Sequence, residues 1–288
     1  MEAISPITSP SSSISSSDLA GPLEILPPVD FCCAYGSSLL PINSSNKMVD
    51  YILGVSDPLR WHSENLERNR DHYASWMAHL GPRVITGVAD RIGVGVHFNP
   101  YVKWEDKMIK YGVVRMHDLV QDLLYWERFY LSGRLQKPVK ILVDNLDIKD
   151  VNMVNLRYAI SAALLLLPPE FTEVDLYAKI CSLSYMGDVR MLFAEDRSKV
   201  KKIVQGTFKS FQAMYKPILN EYTEKEMLEF SIFINSREEA AKFTRKFISR
   251  RVMGSSARQA VSGFLAAGGV NAVRYVAGKI SKAWKSRT

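Results

Sequence analysis

Two short apolar segments near the start of the chain, FCCAY at 31–35 and MVDYILGV at 48–55, are typical of buried β-strands. A Gly-Ser turn at 36–37 follows the first segment, and Asp50 lies inside the second. An unpaired carboxylate in a buried strand is costly, so Asp50 requires a cation or a set of hydrogen-bond donors. These features constrain the fold to a sheet that presents a carboxylate beside a tight turn.

Such an arrangement is suited to binding phosphate groups and a divalent cation. Gly36 would allow the backbone to approach a nucleotide, since a Cβ atom there would collide with the phosphates. Backbone amides and the hydroxyl of Ser37 would bind the phosphates, and Asp50 would supply an oxygen ligand for Mg²⁺. A simple connecting turn is the alternative, because Gly-Ser pairs are common in turns.

The alternation of strand and helix patterns predicts an α/β (α+β) fold with a mixed sheet between residues 30 and 150. Strand patterns occur at FCCAY, MVDYILGV, GVGVHF, YGVVR and PVKILV. Helical patterns occur at ENLERNRDHYASWMAHLG and MHDLVQDLLYWERFYLSG, and we expect Gly133 to end the second helix.

The remaining segments differ in composition from this domain. The first 29 residues are rich in serine and proline, which predicts a disordered leader. Residues 151–225 have helical patterns, and Thr172 with an aspartate three residues later is a capping signature. We therefore predict a helical or winged-helix-like domain there. A charged connector at 226–254 and a basic tail at 255–288 follow.

Charge is unevenly distributed along the chain. There are 37 lysines and arginines against 30 aspartates and glutamates, a formal net charge of +7. No acidic residue follows Glu239, and eleven lysines and arginines lie beyond it. The net charge of the rest of the chain is therefore −4 (7 − 11). A basic tail of this kind is attracted to phosphates on anionic lipid or on nucleic acid.

Other features of the sequence exclude several classes of protein. Cys32, Cys33 and Cys181 match neither a disulfide framework nor a zinc site, so we expect buried thiols in a reducing compartment. No uninterrupted apolar run reaches the ~20 residues that a membrane-spanning helix needs. The first 46 residues contain no Lys or Arg, and so lack the basic residues of a secretory signal or an ordinary mitochondrial presequence.

Several longer motifs occur in one order along the chain: YGSS, MVDYILGVSDPLRWHSENLERNRDHY, GVGVHFNP, IKYGVV, DLLYW, YLSGRLQKPVKI, LSYMGDVRM and EDRSKVKKIV. In these motifs the chain resembles the peripheral mitochondrial CDP-diacylglycerol synthases, also called the translocator assembly and maintenance family. Those proteins are polymerase-beta-like nucleotidyltransferases. The resemblance implies a nucleotidyltransferase domain at 30–150 that uses Mg²⁺, CTP and phosphatidate to make CDP-diacylglycerol and pyrophosphate. It also implies a peripheral enzyme on the matrix side of the mitochondrial inner membrane, upstream of phosphatidylglycerol and cardiolipin.

The chain departs from the family pattern at two positions. Ser38 replaces the second glycine of the usual Gly-Ser-Gly, and Ile52 stands where the wider superfamily has a second carboxylate beside Asp50. The family is acidic at Asp122, which we therefore expect to be the second catalytic and metal-binding carboxylate. A solvated helix aspartate is the alternative. Other candidates for the second ligand are Asp118, Asp144 and Asp147.

Basic side chains near the predicted site are candidates for binding the triphosphate. Arg134 and Lys137 lie in SGRLQKP, where arginine would bind phosphate with two parallel hydrogen bonds and lysine as a point charge. Lys110, ahead of YGVV, is a further candidate. A basic turn between helix and strand is the alternative. His62 and His72 are not spaced as a metal pair, so we expect core or substrate contacts for them.

The tail at 255–288 predicts an amphipathic helix that binds an anionic membrane. Its apolar residues recur on one helical face, and no acid interrupts the segment. The expected membrane contacts are Phe264, Leu265, Arg274, Val276, Lys282, Trp284 and Lys285. Docking on the protein's own core is one alternative. Nucleic-acid binding is another, although no stacking platform accompanies the basic residues, and we expect no nucleic-acid partner.

The expected activity is therefore transfer of a cytidylyl group from CTP to phosphatidate at a membrane surface. A dedicated catalytic base is not needed, because phosphatidate already carries anionic oxygens and requires mainly positioning and charge neutralisation. Two alternatives remain. One is a nucleotidyltransferase that acts on RNA or another acceptor. The other is a non-catalytic assembly factor for the inner-membrane protein import machinery.

Overall fold

The centre of the fold is a five-stranded mixed sheet. The computed structural model describes residues 16–39, 48–193, 198–221 and 236–268. The strands are β1 Phe31–Tyr35, β2 Val49–Val55, β3 Val96–Trp104, β4 Lys107–Arg115 and β5 Lys140–Asp144. They lie in the order β3-β4-β2-β1-β5, with β2 and β4 parallel and the other neighbours antiparallel. The predicted α/β class with a mixed sheet is confirmed.

Helices surround the sheet and form the second half of the molecule. They are α1 Ser16–Ala20, α2 Pro58–Arg68, α3 Ser75–Leu80, α4 Pro82–Gly87, α5 Met116–Tyr125, α6 Ser132–Leu135, α7 Ile148–Leu166, α8 Glu173–Leu183, α9 Arg190–Phe193, α10 Lys199–Glu221 and α11 Arg237–Ala267. Short 3₁₀ helices occupy Gly21–Ile25, Ser37–Leu39 and Arg70–His72, and a π-helical turn at Val88–Ile92 continues α4.

The two segments predicted as single long helices are each divided in the structure. In the first, Asn69 leaves the helical conformation at φ −138° and ψ 56°. Its side-chain amide donates to the carbonyl of Ile25 at 2.7 Å, which ties the end of α2 to the segment before β1. In the second, α5 ends at Trp126 in the left-handed conformation, and Gly133 lies inside α6 instead of ending a helix.

The core has one layer on each face of the sheet. Alternate side chains of β1 and β2 point to opposite faces, so Cys33 and Ile52 pack with α5, whereas Cys32 and Leu53 pack with Trp61 of α2. The prediction of buried thiols is confirmed, because Cys32, Cys33 and Cys181 are all free and fully buried.

A third hydrophobic cluster joins α7, α8 and α10. The predicted helical character of this half is confirmed, and strands are absent from its described part, 151–193 and 198–221. Helix α8 begins with the predicted capping box, because Thr172 accepts a hydrogen bond from the Asp175 amide while the Asp175 carboxylate accepts one from the Thr172 amide.

Helix α11 connects the two halves of the molecule, since it packs against both β3 and α7. The predicted boundary between connector and tail at 254/255 falls inside this continuous helix. Two of the expected membrane contacts, Phe264 and Leu265, lie near its end. The other five lie outside the described residues: Arg274, Val276, Lys282, Trp284 and Lys285. Within the described ranges, no helix has the length and apolar character required to cross a membrane.

A buried polar cluster lies between α2 and the sheet. His62 contacts the Tyr73 hydroxyl at 2.8 Å, and His97 contacts the Asn99 side-chain oxygen at 2.9 Å. The two imidazole rings meet edge to face at 5.2 Å between centroids. Burial and this proximity hold the pKa of His62 well below its ordinary value, and burial lowers the pKa of His97 to about 4. Both histidines are therefore neutral core residues.

This cluster predicts that the protein loses stability as the pH falls below about 6.5. The unfolded chain then binds protons at histidines that stay neutral in the folded state, so the free energy of unfolding decreases by about 1.4 kcal/mol per pH unit for each. Urea denaturation between pH 7 and pH 4.5 measures this slope. We expect His97→Gln to reduce the slope by about one proton, whereas the exposed control His79→Gln should leave it unchanged. An unchanged slope in His97→Gln would contradict the assignment.

Candidate active site

A cavity of about 600 Å³ lies where the ends of β1 and β2 face the helical half of the molecule. The sheet side contributes Tyr35, Gly36 and Asp50. Residues from α6, from the segment after α8 and from α10 form the opposite wall, and α11 closes one side. The cavity is therefore built by both halves of the chain.

The predicted turn and carboxylate lie together at this cavity. Tyr35 pairs with Asp50 across the antiparallel strands β1 and β2, so the next residue, Gly36, lies beside the carboxylate. Gly36 has φ +98°, a conformation that favours glycine, and a Cβ atom there would lie 3.1 Å from Asp50 Oδ2. Ser37 follows in the short 3₁₀ helix Ser37–Leu39.

Lys110 lies next to Asp50 because β2 and β4 are parallel and bring the two residues into register. Its ammonium is 3.8 Å from Asp50 Oδ1 and 4.4 Å from the centre of the Phe98 ring. The lysine therefore supplies a positive charge at the carboxylate while its position is held by the ring.

Arg134 lines the cavity from α6. Its guanidinium lies 3.7 Å from the centre of the Tyr130 ring and donates to the Tyr130 carbonyl at 2.6 Å. The buried Nε atom has no hydrogen-bond partner within the described residues. The side chain lines the cavity, so its guanidinium places a permanent positive charge there for an anionic ligand. Nearby, burial and the charge of Asp50 raise the pKa of Tyr35 well above its ordinary value, which keeps this hydroxyl protonated.

Lys137 lies one turn further along and also lines the cavity. Its ammonium donates to the Gly133 carbonyl and, at 2.6 Å, to the Ser184 hydroxyl. Burial lowers the pKa of Lys137 to about 8, and the neighbouring cations Arg134, Lys199 and Arg190 act in the same direction. An anionic ligand would favour the charged form of this lysine.

The helical half contributes charged residues to which sequence reasoning gave no role. Asp188 is buried, and its carboxylate binds Arg190 through Nε at 2.9 Å. Burial would raise the pKa of Asp188, but the hydrogen bonds and charge of Arg190 outweigh it, so the pKa lies below its ordinary value. Lys199 and Lys202 of α10 line the same cavity. These residues lie in LSYMGDVRM and EDRSKVKKIV, so the motifs themselves were the signal.

Asp122 occupies a different place from the one predicted. Its carboxylate accepts hydrogen bonds from five consecutive backbone amides, those of residues 128–132, at 2.7 to 3.0 Å. The side chain is buried and does not line the cavity. With both oxygens surrounded by donors, Asp122 has no position for a cation, and its expected role as a second metal ligand does not fit the structure.

The other candidates for a second carboxylate also lie outside the cavity. Asp118 pairs with Arg115, Asp144 accepts the first amides of α7, and Asp147 is exposed at the start of that helix. Asp50 and Asp188 are the carboxylates that line the cavity among the described residues. No group of three or more potential metal-ligating side chains occurs in that part of the chain.

The charges of the cavity determine what it can bind. Five cationic side chains line it, namely Arg134, Lys137, Arg190, Lys199 and Lys202, against two carboxylates. An excess of positive charge in a partly enclosed space attracts a polyanion such as a triphosphate. Asp50 is partly exposed and lies beside the glycine turn, so it is the carboxylate of the cavity that could hold a divalent cation.

A mixed sheet with a glycine turn, a carboxylate on the adjoining strand and a cationic cavity is suited to binding a phosphorylated ligand. The chain belongs to the mitochondrial phosphatidate cytidylyltransferase family. The sequence profile of this family, described as "Phosphatidate cytidylyltransferase, mitochondrial", matches residues 21–233 and 229–282 of the chain.

Individual relatives from animals and fungi carry the same name. The chain is 42% identical to the Danio rerio protein in a match that covers 67% of this chain and 60% of that protein. It is 33% identical to the Mus musculus protein over 88% of this chain and 90% of that protein. With the Saccharomyces cerevisiae protein the identity is 35%, over 90% of this chain and 68% of that protein.

The assignment of Asp122 predicts a loss of stability when its charge is removed. Asp122→Asn replaces one acceptor oxygen by a donor that faces amides, so we expect the free energy of unfolding to fall by about 3 kcal/mol. Chemical denaturation measures this value. Asp147→Asn, at an exposed position with positive φ that asparagine tolerates, is the matched control and should change little. A stable Asp122→Asn variant that had lost metal-dependent activity would instead restore the metal-ligand assignment.

Proposed function

We propose that the chain transfers a cytidylyl group from CTP to phosphatidate, producing CDP-diacylglycerol and pyrophosphate. The observation that carries this proposal is the cavity itself, which combines Asp50 and the Gly36 turn with five cationic side chains. Both substrates are anionic, and the family name specifies the cytidylyl donor and the phosphatidate acceptor. In this function the protein lies upstream of phosphatidylglycerol and cardiolipin synthesis.

Mg²⁺ is the proposed cofactor, and Asp50 is the residue that would hold it. One protein carboxylate is sufficient, because Mg²⁺ at nucleotide sites is usually bound through one or two carboxylates together with substrate phosphates and water. Asp50 is partly exposed. The Lys110 ammonium lies 3.8 Å from Oδ1 of this carboxylate, whereas Oδ2 faces the glycine turn. Bound there, the metal would supply charge neutralisation at the triphosphate.

The protein's own residues would act mainly by positioning and charge. An oxygen of the phosphatidate phosphate forms a bond to the α-phosphorus of CTP, the bond from that phosphorus to the β-phosphate oxygen breaks, and pyrophosphate leaves. Arg134 and Lys137 hold the triphosphate, and Gly36 lets it approach the backbone. Arg190, fixed by Asp188, together with Lys199 and Lys202, compensates the charge on the second anionic substrate.

The proposed location is the matrix face of the mitochondrial inner membrane, with peripheral attachment. The relatives are named mitochondrial. Attachment would use the basic tail at 255–288. This segment contains no acidic residue and therefore suits an anionic lipid surface. Phosphatidate resides in a bilayer, so an enzyme that consumes it must act at that surface.

The first test is incorporation of labelled CTP into lipid by purified protein with Mg²⁺ and phosphatidate-containing vesicles. We expect Asp50→Asn to reduce incorporation by about 100-fold or more, because a charge that stabilises the transition state is lost. Asp106→Asn, in the exposed turn between β3 and β4, is the matched control and should retain full activity. A chelator should abolish incorporation by the wild-type protein.

The alternatives give different results in the same assay. Absence of labelled lipid from a folded, vesicle-bound wild-type protein would contradict the synthase proposal and favour a non-catalytic assembly factor. Label that appears in RNA instead of lipid would indicate another acceptor. Full turnover by Asp50→Asn would show that a different group holds the metal.

A second prediction concerns the glycine turn. Gly36→Ala places a Cβ atom 3.1 Å from Asp50 Oδ2 and requires a positive φ from alanine, so the carboxylate must shift. We expect incorporation to fall at least tenfold while the protein remains folded by circular dichroism. Gly87→Ala is the control, since a Cβ atom there meets nothing within 4 Å. Equal activities of the two variants would exclude a role for the turn.

A further inference from the structure

The C-terminal half of α11 faces the protein mainly with polar or small side chains and exposes larger apolar ones. Ser255, Ser256, Gln259, Ser262 and Ala266 are buried. By contrast, Val261 is 54% exposed and Phe264 is 50% exposed. Exposed apolar side chains that adjoin one another on a folded body are typical of a surface that contacts another apolar phase or protein.

Further exposed apolar side chains adjoin the end of this helix. We define the α3–α11 patch as Trp76, Leu80, Ile92, Val261 and Phe264, which are 38%, 56%, 38%, 54% and 50% exposed. The Trp76 indole donates to the Leu265 carbonyl at 3.2 Å, which joins α3 to α11. At the other end, Arg258 donates through Nε to the Ile92 carbonyl at 3.1 Å, so Ile92 lies beside α11 one turn before Val261.

The surroundings of the patch are basic. Arg83, Arg91 and Arg258 are exposed at its edge. Asp90 is the one acid between residues 74 and 95, and it is paired with Arg115 at 3.4 Å; no acid occurs in α11 after Glu239. Apolar side chains that include a tryptophan, with arginines around them, match the apolar interior and anionic headgroups of a bilayer interface.

We propose that the α3–α11 patch is a membrane-docking surface of the folded body, which inserts Trp76, Leu80 and Phe264 into the interface of an anionic bilayer. The proposal deepens the proposed membrane attachment by adding α3 and the π-helical turn to the tail. Charge complementarity favours lipid over a second copy of this chain, since two such patches would bring arginines together. The chain also continues from the patch into residues 269–288, which contain five basic residues and no acid.

Docking at this patch would bring the cavity close to the lipid. Ser256 of α11 lines the cavity, and Phe264 of the same helix belongs to the patch. Ser256 and Phe264 are eight residues apart, which corresponds to about 12 Å along the helix axis. The cavity would therefore lie about this far from the lipid surface that Phe264 enters. One rigid helix would therefore hold the cavity at a fixed distance from the surface that contains its lipid substrate.

The test is binding of the full-length chain to vesicles of phosphatidylcholine and phosphatidylglycerol, measured by sedimentation. Phosphatidate is omitted so that the cavity does not contribute. We expect Leu80→Glu and Phe264→Glu each to lower partitioning about tenfold, because each puts a charge in place of an inserted apolar side chain. Phe243→Glu is the matched control, since Phe243 is 69% exposed on the same helix outside the patch; it should bind like wild type.

A second readout uses tryptophan quenching by brominated lipid. We expect brominated lipid to quench the tryptophan fluorescence of the wild-type protein, and to quench it less in Trp76→Phe, which keeps an apolar ring at that position. Attachment is by the tail alone, and the proposal fails, if Phe264→Glu weakens vesicle binding while Leu80→Glu binds like wild type and Trp76→Phe is quenched like wild type. If Leu80→Glu instead converts a dimer to a monomer by light scattering, with vesicle binding unchanged, the patch is an interface between copies.

These outcomes are independent of the proposed catalysis. Turnover of a water-soluble, short-chain phosphatidate should be the same in Leu80→Glu and wild type, because Leu80 does not line the cavity. If no variant or wild-type protein turns over this substrate, the catalytic proposal fails while the binding result still stands. Leu80→Ser is a milder substitution that provides the same comparison if the glutamate variant does not fold.

Discussion

The carboxylate of Asp122 determines how the sheet connects to the cavity. Five successive amides of residues 128–132 bind its two oxygens, and this fixes the chain in a tight turn after α5. Without these bonds, five buried or partly buried donors would lack partners, at a cost of several kcal/mol. The turn ends where α6 begins, so it also decides the direction in which Arg134 and Lys137 point. A buried carboxylate that does not itself line the cavity thus supports the cationic wall of the site through hydrogen bonds to the backbone.

The cavity depends on both halves of the molecule. Its carboxylate and glycine turn come from neighbouring strands, whereas Arg190, Lys199 and Lys202 come from the helical half. The halves approach closely at Gly133, where an added Cβ atom would lie 2.6 Å from the Ser184 side chain. The bond from Lys137 to the Ser184 hydroxyl crosses the same contact. Because the charges of one site are divided between two packing units, loss of packing between the units would separate them.

Helix α11 relates the cavity to the proposed membrane surface. Val252, Ser255 and Ser256 line the cavity, and Val261 and Phe264 face outwards near the end of the same helix. The small side chains on its inner face allow the helix to lie close to the end of the π-helical turn, where a Cβ atom added at Gly93 would lie 2.9 Å from the Ser262 hydroxyl. Close packing on the inner face leaves the apolar side chains on the outer face, where they are available for an interface.

The sequence by itself determined the features that arise from local interactions. The strands at Phe31–Tyr35 and Val49–Val55, the capping box of α8 and the placement of Gly36 beside Asp50 all follow from periodicity or from one strand pairing. Sequence reasoning missed the break at Trp126, the role of Asp122, and the joining of connector and tail into one helix. It also missed Asp188 and Arg190 as cavity residues. Each of these depends on contacts between segments distant in the chain, and periodicity carries no information about which donors a buried carboxylate meets. Only the tertiary structure decided them, because burial and hydrogen-bond partners are set when the sheet and the helical half pack together.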